Sequence, residues 1–65
     1  MVRVNDEPVD HEPGLTVGRL LERQGLGATM VAVWIDDRLI RRAEYHTCPI
    51  PDGSEVRIVL MIAGG

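Results

Sequence analysis

Glu55-Val56-Arg57-Ile58-Val59-Leu60-Met61-Ile62-Ala63-Gly64-Gly65, residues 55–65, decides how the rest of the chain is read. Val56, Ile58 and Leu60 recur at every second position, which is the period of a strand. The spacing predicts a strand over 55–61, with Val56, Ile58 and Leu60 turned to a core that includes a helix. Arg57, Val59 and Met61 then face the opposite side. Ile62-Ala63-Gly64-Gly65 follows without a turn residue. Glycine lacks a Cβ, so it passes a narrow channel and accepts backbone conformations closed to other residues. A folded domain over 1–61 and a flexible C-terminal Gly-Gly tail over 62–65 are therefore expected.

Working back from residue 55, Asp52-Gly53 is a turn. Residues 41–51 contain Pro49 and Pro51 and read as an irregular crossover with one helical turn near Ala43 and Tyr45. Leu39-Ile40 is a short return strand, separated by the Asp36-Asp37 turn from the apolar strand Val31-Ala32-Val33-Trp34-Ile35. Further back, Val17, Leu20 and Leu21 fall at i, i+3 and i+4, the spacing of one helical face. Thr16 is placed to cap that helix and Gly25 to stop it. At the start, Val2-Arg3-Val4, an Asn5-Asp6 turn and a second run around residues 8–11 make a hairpin. Pro8 confines that second run to a sheet edge or a strand start.

The order β-β-α-β-β-β predicts an α+β fold. One main helix crosses one face of a mixed sheet of four to five strands, and the first and last strands run side by side in its centre. This is the β-grasp, or ubiquitin-like, arrangement, because the return after a helix is a right-handed crossover that makes parallel neighbours.

With 65 residues, one small core is expected; such cores rarely yield more than about 3–5 kcal/mol. Little stability is left for a deep cavity or a buried catalytic constellation. Cys48 is the single cysteine, which excludes an internal disulfide and makes a reducing cytoplasm the expected location. No run approaches a membrane span. The net charge of −3 argues against nucleic acid as a partner. Asp10-His11-Glu12 and His46-x-Cys48 lack the three or four correctly spaced ligands of a metal site. Cys48, flanked by Pro49 and Ile50, reads as a structural or merely exposed thiol. No catalytic grouping is evident, so the chain is read as a carrier and not as an enzyme.

The chemistry then rests on the terminal carboxylate. A carboxylate is a poor electrophile until adenylation makes it a mixed anhydride. Transfer of sulfur to that acyl group leaves a thiocarboxylate, a nucleophile presented to successive enzymes as a group carrier presents its reactive atom. Trp34, Val59 and Met61 form the expected partner-docking face, since an apolar patch on a helix-free sheet face marks such a surface.

Over its whole length the sequence resembles the ThiS-type ubiquitin-like sulfur carriers of thiamin biosynthesis, within the ThiS/MoaD superfamily. The resemblance is carried by Thr16-Val17 with Leu20-Leu21, Val31-Ala32-Val33, Arg41-Arg42 leading to Tyr45, Asp52-Gly53 and the terminal Ile62-Ala63-Gly64-Gly65. It implies that Gly65 is adenylated by an E1-like, ThiF-type adenylyltransferase using ATP. The glycine then becomes a thiocarboxylate with sulfur from a donor such as a cysteine desulfurase, and passes that sulfur to a ThiG-type thiazole synthase. Ile62, Ala63 and Gly64 would thread the partner's active site, and no cofactor would be bound by the chain itself. Trp34 stands where a small residue is common, Ser54 where an aspartate often follows the Asp-Gly turn, and Cys48-Pro49 is unusual in the crossover. Trp34 leaves open a carrier for molybdopterin, cysteine or another sulfur metabolite. A ubiquitin-like protein modifier is a further alternative, although a chain without lysine cannot build lysine-linked polymers. A non-covalent adaptor is the last.

Overall fold

A computed structural model describes residues 1–61. Two tight turns set its strand pairing. Asn5 and Asp6 have φ of 51° and 70°, and Asp36 and Asp37 have φ of 48° and 68°. Two successive left-handed residues make the primed turn whose twist matches paired strands, and Asn and Asp tolerate that region better than most residues. The first turn joins β1 (Val2–Val4) to β2 (Glu7–Val9), and the second joins β3 (Val31–Ile35) to β4 (Arg38–Ile40). The last strand, β5 (Glu55–Leu60), lies between the two hairpins in the order β2-β1-β5-β3-β4. It runs parallel to β1 and antiparallel to β3. The edge position of the Pro8 strand and the central pairing of first and last strands follow the expectation. The sheet has five strands, and β2 begins one residue earlier and ends sooner than the 8–11 run.

The single α-helix among the described residues, α1 (Val17–Gln24), starts where Thr16 Oγ1 accepts the Arg19 N–H at 3.2 Å. It ends at Gly25 in the left-handed region, φ 70°. The Gly25 N–H donates to the Glu22 carbonyl at 3.1 Å and the Leu26 N–H to the Leu21 carbonyl at 2.9 Å, which satisfies two otherwise orphaned carbonyls. Gly18 sits in the first turn because the crossover presses on it. Its N–H donates to the Tyr45 carbonyl at 2.7 Å, and an added Cβ would lie 3.3 Å from that oxygen.

Val17, Leu20 and Leu21 bury against Val2, Val4, Val33, Val56 and Ile58 of the sheet. The irregular crossover contributes more to this core than its sequence suggested. Tyr45 and Ile50 are buried, and the Tyr45 hydroxyl donates to the Val31 carbonyl at 3.4 Å. Its helical turn is a 3-10 turn over Arg42–Glu44, and a second one, unforeseen, occupies Ala28–Met30.

Two details of the last strand need correction. It ends at Leu60, not at residue 61, and Leu60 is 58% exposed where burial against the helix was expected. Pairing explains this. Val56 and Ile58 are flanked on both sides, by β3 and by β1 with Asn5, whereas among the described residues Leu60 has buried Val31 on one side and no β1 neighbour on the other. Among the described residues no helix is long and apolar enough to cross a membrane.

Candidate functional site

The helix-free face of the sheet is fixed by register. Ala32 pairs with Val59, and Trp34 pairs with both Arg57 and Leu39. Paired residues share a face, so Ala32, Trp34, Leu39, Arg57 and Val59 lie together on the side away from α1. Trp34 is half-buried, while Leu39 and Val59 are exposed. Met61, just beyond the strand, is exposed as well and donates its N–H to the Met30 carbonyl at 2.8 Å. The structure thus brings Trp34 and Val59 together as diagonal neighbours on one face and leaves Met61 exposed at the end of that strand. It adds Ala32 and Leu39, which sequence reading omitted. The signal for Leu39 was available: a two-residue turn at Asp36-Asp37 forces Trp34 opposite Leu39.

At the other end of this face, Trp34, Asp36, Asp37, Glu55 and Arg57 line a shallow cleft. Asp36 ties the end of β3 to β5, since its N–H donates to the Glu55 carbonyl at 2.8 Å and its Oδ1 accepts the Glu55 N–H at 3.0 Å. The cleft therefore holds the start of β5, well away from the end that leads to the tail.

Asn5 is a strand-holding residue that sequence reading missed. Its Nδ2 donates to the Ile58 carbonyl at 3.1 Å, and its Oδ1 accepts the Ile58 N–H at 2.9 Å. The amide substitutes for a further residue of β1 and holds β5 one rung past the Asn5-Asp6 turn. The mismatch between a three-residue first strand and a six-residue last strand was the available hint.

Several other polar side chains bond within the fold. His11 Nε2 lies 2.9 Å from the Ile50 carbonyl oxygen, and Glu12 receives Arg19 and Arg23, each at 3.5 Å. Cys48 is half-buried against the core, with Sγ 3.8 Å from the Pro49 carbonyl oxygen. Ser54, at the position where the resemblance favours aspartate, is buried and donates its hydroxyl to the Pro51 carbonyl at 2.7 Å. The Met1 ammonium group hydrogen-bonds Asp52 and, by that bond and its charge, holds the carboxyl below its ordinary range. The tail residues Ile62, Ala63, Gly64 and Gly65 lie outside the described residues.

A five-strand mixed sheet with parallel β1 and β5 and one helix on one face defines a β-grasp domain of the ubiquitin-like class. Within that class the chain belongs to the ThiS family, whose model matches residues 2–65. Two solved structures from Geobacter metallireducens are similar. One is a crystal structure of a thiamine biosynthesis protein (ThiS), 24% identical with a TM-score of 0.79, covering 98% of this chain and 97% of that one. The other is a solution structure of a thiamine biosynthesis protein, 27% identical with a TM-score of 0.77, covering 98% and 86%. No curated protein matches the chain closely enough to count as a relative.

Proposed function

We propose that this chain is a sulfur carrier of thiamin biosynthesis that holds sulfur as a thiocarboxylate on Gly65. The observation that carries the reading is the ThiS family match, which runs through the whole domain and on to Gly65. In the first step a Gly65 carboxylate oxygen attacks the α-phosphorus of ATP on a ThiF-type adenylating enzyme. Pyrophosphate leaves, and an acyl adenylate remains. A sulfur nucleophile supplied by a donor such as a cysteine desulfurase then attacks the acyl carbon and displaces AMP. Where that sulfur arrives as a persulfide, a reductant supplies two electrons to cleave the sulfur–sulfur bond and free the thiocarboxylate. The anionic sulfur is the nucleophile offered to a ThiG-type thiazole synthase. ATP is consumed by the partner and the carrier is its substrate, all within the cytoplasm.

Ile62, Ala63 and Gly64 thread the partner's active site, with Gly64 keeping the chain slim. Trp34, Val59 and Met61, extended by Leu39, dock the partner through apolar contact. The test is ATP–pyrophosphate exchange by a ThiF-type enzyme with the chain as acceptor. Exchange that depends on the chain and disappears when Gly64 and Gly65 are deleted supports the reading. Equal exchange with and without those two residues contradicts it.

A further inference from the structure

We propose that the backbone of Leu60 is a docking rung for an extended apolar segment of the partner enzyme that receives the tail, an inference that rests on the delivery reading above. Strand residues direct their N–H and C=O alternately to the two neighbouring strands. On the β1 side, the Ser54 carbonyl accepts the Arg3 N–H at 3.0 Å and the Val56 carbonyl accepts the Asn5 N–H at 2.9 Å. Ile58 is taken on the same side by the Asn5 amide. On the β3 side, Glu55 bonds Asp36 and Met61 bonds Met30. Leu60, two residues beyond Ile58, therefore turns its N–H and C=O to the β1 side. There the chain has already reversed at Asn5-Asp6, and the β1 ladder ends at Val4 opposite Val56. Among the described residues none pairs with Leu60 on that side.

An open rung alone is a strand edge, which proteins ordinarily blunt with charge, proline or a covering element. Here it is bordered by apolar side chains instead. Val59, Leu60 and Met61 are three of the six large apolar residues left exposed among the described residues, at 42, 58 and 54%. An extended segment laid along the rung meets them alternately on its two faces, so main-chain bonds supply affinity and alternate side chains supply selectivity. A charged segment would leave these groups without apolar contact, which makes the occupant apolar. The rung lies directly before the tail, so the protein that receives the tail is the one positioned to supply that segment.

Leu60→Pro and Leu60→Ala separate the rung from the side chain. Both remove the leucine, but only proline removes the N–H, and that N–H has no acceptor within the described fold. Proline is tolerated where its missing donor faces away from the ladder. Binding is measured with a purified ThiF-type adenylating enzyme and the full chain. Leu60→Pro is expected to bind at least tenfold more weakly than Leu60→Ala, with closely similar melting for the two. Independently of any variant, hydrogen exchange at the Leu60 amide of the wild-type chain is expected to slow at least tenfold in the complex. Equal binding by the two variants with an unprotected Leu60 amide overturns the rung while leaving adenylation of the wild-type chain intact. A wild-type chain that the enzyme neither binds nor adenylates overturns the delivery reading and the rung with it. Protection of Leu60 without enzyme, in a dimer seen by sedimentation, assigns the rung to a second copy and also overturns the proposal.

Discussion

The first part of β5, Glu55 to Ile58, and the stretch that follows, Val59 to Met61, have opposite surroundings. From Glu55 to Ile58 the strand is bonded on both sides, to β3 and to β1 with its Asn5 extension, and Val56 and Ile58 are buried under α1. From Val59 to Met61 it is held by β3 and Met30 alone, and all three side chains are exposed. The first half holds the fold together. The second half offers apolar side chains and open backbone at the point where residues 62–65 begin. One strand thus changes role along its length because β1 is shorter than it is.

The contrast breaks most visibly under alanine. Ile58→Ala is expected to destabilise the domain by about 2–5 kcal/mol, which consumes most of what a core this small supplies. Leu60→Ala, on the same face two residues later, is expected to fall within about 0.5 kcal/mol of wild type. Chemical denaturation of the two variants measures the difference, and equal losses would mean that the two halves are not distinct.

Asn5→Gly sharpens the boundary. Glycine keeps the left-handed turn conformation but removes both bonds to Ile58, at about 0.5–1.5 kcal/mol each. A loss of about 1–3 kcal/mol is expected by denaturation, with faster exchange at the Ile58 amide and little change at Glu55. Unchanged exchange at Ile58 would remove Asn5 from its role.

The smallest effect concerns the entry to the strand. Asp52 is exposed, and its carboxyl is held low first by the hydrogen bond from the Met1 ammonium group and then by that group's charge. A depressed carboxylate contributes stability that is present above its unfolded pKa and is lost as pH falls through its lower folded value. The wild-type chain is therefore expected to lose a small increment of melting temperature across the acid range that Asp52→Asn does not lose. Parallel melting profiles for the two would remove this contact from the account.

Most of the framework was legible because it depends on local rules. Thr16 and Gly25 bound the helix, two pairs of turn residues set both hairpins, and alternation at 56, 58 and 60 marked the last strand. What escaped depends on relative lengths and long-range contact. Leu60 has the period of a core residue, and the early end of the β1 ladder leaves it without a neighbour on one side. Asn5 reads as turn chemistry, and its hold on a residue 53 positions away has no local signature. Tyr45 and Ile50 sit in a proline-containing segment without period, so their burial could not be read from spacing. The apolar patch on the helix-free face was legible in Trp34 and Val59, and Leu39 joins them once the turn register is counted.

The central claim is that this strand delivers a carboxylate that becomes a sulfur carrier. Intact-mass spectrometry of the chain after incubation with an active ThiF-type enzyme, ATP and a sulfur donor tests it most directly. The account predicts a mass increase of one oxygen replaced by sulfur, localised by fragmentation to Gly65. An unchanged mass from an enzyme shown to be active in the same mixture would contradict it.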